Sequence, residues 1–447
     1  MIQEERISSL NRHSTPPDGE YVLYWMQASQ RADWNHALEY AVERANALRR
    51  PLVVFFGLTW SYPEANGRHY RFMLEGLQET EERLKERGIG MVVRTGQPDE
   101  GVIDLAGAAS LVVADAGYLR VQKAWRSRIA DEVSCPAVQV ESNVVVPVAV
   151  ASGKEEWSAA TFRPRISREI ERFLVPLKPR RLKVLSPGTD FDSASPGSVD
   201  PAVDRSVEPS VGFRGGSAEA HRRLAVFLHE RLDRYPEERN DPGNDVLSEM
   251  SPYLHFGQIS PLEIALAVRA TNSRGAPAYL EELIVRRELA VNFVQYNPLY
   301  DSFAALPDWA QATLAAHAGD AREYLYSRRD LEEGRTHDPF WNAAQLEMRA
   351  AGKMHGYMRM YWGKKILEWT ETPEEAYARA LYLNNRYELD GRDPSGYAGV
   401  AWCFGKHDRA WKERPIFGKV RYMSAAGLAR KFSMDDYVAR SRRLFRR

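Results

Sequence analysis

The spacing of hydrophobic positions changes character along the chain. In the first third, short apolar runs at Tyr21–Met26, Leu52–Phe56, Met91–Val93, Leu111–Ala114 and Val138–Val140 alternate with segments such as His36–Arg49 and Tyr70–Arg87, whose apolar residues recur at helical spacing. Near-continuous runs of Val, Leu and Phe predict strands covered on both faces, and the longer periodic segments predict crossover helices. The expected class of this part is α/β with a parallel, Rossmann-like sheet. Between Leu185 and Gly216 the pattern dissolves into Ser, Pro, Gly and Asp, too poor in apolar surface to order itself alone, which reads as a connector. Beyond it, His221–Tyr235, Pro261–Thr271, Ala278–Tyr296, Pro339–Gly352, Tyr357–Trp369 and Pro373–Tyr387 carry helical spacing, several with Pro near the start. The expected organisation is an α/β domain over 1–155, an interdomain connector over 156–216 and a mostly α-helical domain over 217–447.

Composition narrows the class. A chain of 447 residues is long for one core, and 44% hydrophobic with 27% charged residues describes a soluble globular protein. No apolar run approaches the roughly 18 residues of a membrane span. The start, Met1–Arg6, is polar and lacks the basic and apolar regions of a signal peptide, so the expected location is the cytoplasm. Cys135 and Cys403 alone exclude a disulfide framework and a cysteine zinc site, and no metal is expected. Net charge is zero, yet residues 406–447 hold thirteen Lys or Arg against four Asp or Glu. Interleaved with Trp411, Phe417, Tyr422 and Phe432, these cations suit a phosphate backbone, with a solvated helical face as the plainer alternative. Lys406, Arg409, Lys412 and Arg421 are the candidate phosphate contacts.

The segment Met354–Trp369 carries the most distinctive chemistry. Trp362 and Trp369 lie seven positions apart, which on a helix places them on one face at roughly 10.5 Å along the axis. Rings so placed suit either an electron relay or a bulky core helix. No G-x-G-x-x-G follows any predicted strand, so the usual dinucleotide fingerprint is missing from the first domain.

Four segments, Asp245–Gly257, Tyr279–Leu289, Met354–Trp369 and Leu383–Trp402, together resemble the photolyase and cryptochrome family. Tyr387–Pro394 (Tyr-Glu-Leu-Asp-Gly-Arg-Asp-Pro) and the tail from Ala410 to Ser424 are similar to the class II cyclobutane pyrimidine dimer photolyases. The resemblance covers nearly the whole chain and is specific from about Tyr235 onward. It implies an FAD held by the helical domain, with Leu247, Ser248, Met250 and Ser251 as a phosphate-binding turn and Tyr235 against the cofactor. Hydroxyls and free N–H groups before a helix suit a pyrophosphate, although plain capping is the ordinary role of such serines. Arg359 and Asp390 correspond to an ion pair beside the isoalloxazine, Asn384 to a side chain facing flavin N5, and Arg287 and Asp393 to further cofactor contacts.

The same resemblance implies the substrate site and the electron supply. Glu282 matches a carboxylate that touches the pyrimidine dimer, with Glu281 as the adjacent competitor, and a buried Glu282 is expected to keep its proton near neutrality. Trp402 matches an indole stacked on the flipped dimer, and Met360 borders the pocket. Where the family carries a second aromatic, this chain has Val285 and Arg286. Trp362, Trp341 and Trp369 correspond to the proximal, intermediate and surface-ward members of a tryptophan relay.

The implied activity is light-driven repair of cyclobutane pyrimidine dimers, a carbon–carbon lyase reaction. Excited reduced FAD passes an electron to a flipped dimer in UV-damaged DNA, the ring splits, and the electron returns. The first domain is of the kind that holds an antenna chromophore, a deazaflavin, a folate or a second flavin, and no residue set here selects among them. A monomer away from membranes is the default expectation. The rival readings are a cryptochrome-like blue-light photoreceptor without repair activity, against which Glu282 and Trp402 weigh, and a flavin-free nucleic-acid-binding protein. Zinc deaminase chemistry lacks its H-x-E and P-C-x-x-C signature.

Overall fold

The computed structural model describes residues 2–186 and 191–444. Part of the predicted connector, Pro187–Asp190, and the last two arginines of the basic stretch, Arg446 and Arg447, lie outside the described residues. The first part is a sheet of β1 (Ile7–Ser9), β2 (Tyr21–Trp25), β3 (Leu52–Leu58), β4 (Gly90–Thr95), β5 (Ala109–Asp115) and β6 (Ala137–Val140), in the order β1-β6-β5-β2-β3-β4. All neighbouring pairs are parallel except β1 with β6. The expected parallel sheet is present, with one antiparallel edge strand added.

Side-chain alternation explains why both faces are covered. Val22, Tyr24, Val54, Phe56 and Val113 pack with α1 (His36–Leu48) and α2 (Gly67–Glu86). Leu23, Trp25, Val53, Phe55 and Val112 pack with α3 (Pro98–Ala106) and α4 (Arg120–Glu132). Successive residues of β2 thus serve opposite cores, which is the period-two rule applied to a sheet buried on both sides. The order of connection reverses between β2 and β5, and the carboxyl ends of these strands therefore flank a crevice.

Helix α5 (Ala159–Phe173) occupies part of the span read as connector. The remainder is helical: α6 (Ser217–Val226), α7 (Ser251–His255), α8 (Pro261–Ala270), α9 (Ala276–Leu280, running on through Glu281–Arg286 to Arg287–Tyr296), α10 (Pro339–Ala351), α11 (Gly356–Glu368), α12 (Pro373–Tyr387), α13 (Pro394–Cys403) and α14 (Met434–Leu444). Caps follow the sequence. Asp338 accepts from Phe340 and Trp341 N–H at the start of α10, Thr372 caps α12 and Asp393 caps α13, each followed by Pro at the first turn. Among the described residues no helix is long and apolar enough to cross a membrane.

The two parts meet through buried polar groups. Arg31, 2% exposed, donates to the Gly257 and Ser142 carbonyls and to Asn143 Oδ1. Gly257 has φ +66°, and a Cβ there would lie 1.9 Å from the Ala28 carbonyl oxygen. Gly257→Ala is therefore expected to lower stability by about 1–3 kcal/mol, through backbone strain and a forced shift of the Ala28 loop. Thermal unfolding of the variant beside the parent measures this.

Candidate active site

The two glutamates of α9 lie within a local irregularity of the helix. Residues Glu281–Arg286 adopt a π-helical turn inside an otherwise α-helical run. Such bulges insert one residue and rotate the side chains at the turn away from the register of the helix. Glu281 faces Arg163, which donates at 2.7 and 3.0 Å, and Arg286 at 3.4 Å. Glu282 faces elsewhere, pairing with Arg239 at 2.7 Å beside Tyr235. The expected burial of Glu282 is not found: its side chain is 39% exposed and the Arg239 charge sits against it. The position of the family's second aromatic is likewise without a ring, because Arg286 is exposed and turned to Glu281 while Val285 is buried.

The segment Leu247–Ser251 lies against the same helix. Tyr279 donates to Ser248 Oγ at 3.0 Å, and its ring meets Tyr235 edge-on at 5.4 Å. Arg231 donates to the Leu247 carbonyl at 3.1 Å, Met250 is buried, and Glu249 takes φ +58°. Lys353 donates to Ser251 Oγ at 2.7 Å. Helix α7, which this segment introduces, has only five residues. Its dipole is correspondingly small, so the hydroxyls, N–H groups and Lys353 are what this turn offers an anion.

Buried charge concentrates at the start of α11. Arg359 Nη2 lies 3.1 Å from Asp390 Oδ1 and 2.9 Å from Glu388 Oε2. Burial works against the Arg359 cation, but Asp390 and Glu388 outweigh it and raise its pKa. Burial likewise opposes the Asp390 carboxylate, which Arg359 and Lys353 hold well below the usual range. Asn384 is buried next to this group, its Nδ2 donating to Asn385 Oδ1 at 3.0 Å. A Cβ on Gly396 would come within 3.0 Å of that amide nitrogen. Asp393 caps α13 by accepting from Ser395 N–H at 2.8 Å and lies 3.4 Å from His255, and Arg287 donates to the Asn143 carbonyl at 2.7 Å. Several buried polar atoms here make no hydrogen bond, Arg359 Nε, His355 Nε2 and Glu388 Oε1 among them. Buried donors and acceptors of this kind suit a polar ligand, and the ring amides of a flavin dinucleotide offer partners for them.

Trp362 lies one turn after Arg359 on α11. Its ring stacks on Trp341 of α10 with centroids 6.4 Å apart and planes 6° from parallel, and Trp341 meets Trp369 edge-on at 5.7 Å. The intermediate ring thus stands between two residues of the other helix, replacing a long step along one face by two short ones. Trp341 Nε1 donates to the Trp362 carbonyl at 3.0 Å and Trp362 Nε1 to Gln345 at 2.8 Å, which fixes both orientations. Trp369 is itself buried, 2% exposed, and is the member of the three that packs on exposed His337. The rings continue from it to Tyr326 at 5.5 Å and His337 at 5.2 Å, and His337 stacks on Tyr324, which is 39% exposed.

The basic tail resolves into distinct roles. Arg421 is held between Trp402 and Trp411, at 5.2 and 4.2 Å from their centroids, and is paired with Asp408 at 2.8 Å. Arg409 and Lys412 are exposed and Met360 is partly buried. Lys406 is not a surface cation: it is 8% exposed, bonded to Glu155 and to the Ala305 carbonyl, and lies over Phe293.

A pair of cavities, about 110 and 50 Å³, opens at the crevice between β2 and β5. They share Ala28, Tyr62, Gln122, His255 and Arg392 in their walls. Gln30 Oε1, both Gln27 amide atoms and Arg392 Nε are buried there without partners. Among the described residues no cluster of His, Cys, Asp or Glu could hold a metal.

Sequence reading missed Arg239, Tyr279, Glu388, Arg163 and the ring set at Tyr324, Tyr326 and His337. Glu388 stood in a quoted motif two residues from Asp390, which was a usable signal. Tyr279 likewise opened the segment Tyr279–Leu289, whereas Arg239, Arg163 and the ring set approach from separate segments and carry none.

Comparison with known proteins shows the family. The family model described as DNA photolyase matches residues 22–182. The chain is 57% identical to the deoxyribodipyrimidine photo-lyase of Methanothermobacter thermautotrophicus, covering 99% of both chains. It is 42% identical to that of Oryza sativa over 95% of this chain and 88% of the relative. The crystal structure of a class III photolyase from Agrobacterium tumefaciens superposes with a TM-score of 0.75 at 19% identity, over 95% of this chain and 87% of that one. The chain belongs to the DNA photolyase family.

Proposed function

We propose that this protein is a deoxyribodipyrimidine photo-lyase that splits cyclobutane pyrimidine dimers in UV-damaged DNA. One observation carries the reading: the inner end of the stacked tryptophans, Trp362, lies one helical turn from the Arg359–Asp390 pair, so a line of oxidisable rings ends beside charged groups suited to holding a cofactor. FAD bound there supplies the photoexcited electron. Residues 217–447 form the catalytic part, 156–216 the connector and 1–155 an antenna-type domain.

Each group then has a task its geometry allows. Arg359 and Asp390 fix the ring charge, and Asn384 presents an amide that orients without adding charge. Ser248, Ser251 and the N–H groups of Leu247–Ser251 bind the phosphates, with Tyr235, Met250, Arg287 and Asp393 completing the walls. Trp402 and Met360 receive the flipped dimer, and Glu282 accepts or donates hydrogen bonds at its carbonyl edge once Arg239 yields or shares it. Trp341 and Trp369 relay electrons inward to Trp362. The crevice cavities suit a flat antenna chromophore whose polar edge meets Gln27, Gln30 and Arg392.

Glu282→Ala is expected to slow dimer splitting by chemically reduced protein on the order of ten- to a hundredfold, the value of one charge-assisted hydrogen bond in the transition state. Restored pyrimidines per flash, counted for parent and variant, measure this, and equal rates would remove Glu282 from the mechanism. Arg409→Ala or Lys412→Ala should weaken binding to any DNA duplex and each reduce the salt slope of affinity by about one.

A further inference from the structure

Glu388 is a buried titratable group for which the repair scheme has no use. It closes α12, is 0% exposed, and gives its backbone carbonyl to His69 Nε2 at 3.0 Å. Its carboxyl and that of Asp390 approach the same guanidinium nitrogen of Arg359. That nitrogen has two hydrogens and two carboxylates to serve, yet neither Glu388 oxygen makes a well-directed hydrogen bond. Two ionised carboxylates drawing on one guanidinium nitrogen, one of them fully buried, is an arrangement proteins avoid by keeping one proton, and Lys353, the other nearby cation, is engaged by Ser251 Oγ at 2.7 Å.

We propose that Glu388 is a positioning residue of the cofactor site, a carboxylic acid that keeps its proton so that the Arg359 charge is left to Asp390 and the bound ligand. The surroundings support an asymmetric pair. Burial pushes Glu388 up to about 8, with Arg359 pulling it down and Asp390 pushing it further up. The other charged groups facing it are Lys353, Glu347 on α10, and Arg68 on α2. Glu347 is itself taken by the Tyr437 hydroxyl at 2.6 Å. Asp390 also takes Ser251 as a partner, whereas Glu388 has none of that kind. Ionisation of Glu388 would add negative charge beside the ligand and oppose its reduction. The effect on the cofactor rests on the flavin reading above; the proton on Glu388 does not.

The test uses full-length protein and two readouts. Infrared spectra titrated from neutral to alkaline pH should show a protonated carboxyl band at neutral pH that is missing from Glu388→Gln and that disappears in the parent as the pH rises through about 8. In flavin-loaded protein, the midpoint potential of the parent should fall more steeply with pH across that range than that of Glu388→Gln, which mimics the neutral acid. Parent and variant spectra that coincide at neutral pH, or potentials that run parallel, would overturn the assignment. Protein that retains no flavin sinks the cofactor reading instead, while the infrared comparison still decides Glu388. Should Glu388→Gln not fold, Asp390→Asn should move the loss of the band to lower pH in the parent background, and a band that stays in place would contradict the sharing of Arg359.

Discussion

Trp341→Phe should abolish light-driven reduction of the bound flavin while sparing dimer repair by protein reduced chemically beforehand. Trp341 is the ring through which both other tryptophans touch, stacked on one and edge-on to the other. Phenylalanine keeps an aromatic ring in the gap but is far harder to oxidise, so the relay is cut at its middle without opening the core to water. The smaller ring also loses the bond to the Trp362 carbonyl, and about 1–3 kcal/mol of stability should go with it. Absorbance bleaching under blue light measures the first effect, and a repair assay on dithionite-reduced protein measures the second. Loss of both activities together would mean that Trp341 supports the site by packing and not by electron transfer.

Arg359→Ala should be the most damaging single change to the cofactor site. It leaves Asp390 and Glu388 buried without the cation between them, a situation that typically costs about 3–5 kcal/mol. The pH dependence has a definite sign. Asp390 is depressed in the folded protein, so its contribution is present above its unfolded pKa and is lost as the pH falls. Glu388 is raised, so its contribution is full below its unfolded pKa and fades as the pH climbs toward about 8. The stability gap between parent and variant should therefore widen toward neutral and alkaline pH and narrow in acid. Flavin retention after gel filtration, with denaturant midpoints at several pH values, checks both parts. A gap independent of pH would show that the carboxylates do not depend on Arg359.

How much of this was legible in the sequence depended on whether a feature was local. Strands β2, β3 and β5 were readable because burial on both faces leaves near-continuous apolar runs, and β4 and β6 from shorter ones, whereas β1 is three residues, Ile-Ser-Ser, with little hydrophobic signal and only one neighbour. The long helix α9 was readable from its period, but the π turn within it was not, since one inserted residue hardly disturbs the spacing of Leu283, Ile284 and Val285. Glu281 and Glu282, neighbours in that turn, point apart as adjacent residues on a helix do, one locked by Arg163 and the other facing Tyr235 and Arg239. The exposure of Glu282 could not be read because Arg239 arrives from a different segment. Lys406 shows the same limit in reverse: a basic run does not say which of its cations is buried against Glu155. The three tryptophans were identified by resemblance, yet only packing places the α10 indole between the two from α11.

The most direct measurement of the central claim is the number of pyrimidines restored when purified, flavin-loaded and reduced protein is illuminated with an oligonucleotide bearing one cyclobutane dimer. Stoichiometric restoration over many turnovers in light, with none in the dark, is the predicted result. A coloured, photoreducible protein that binds this DNA and leaves every dimer intact would contradict it.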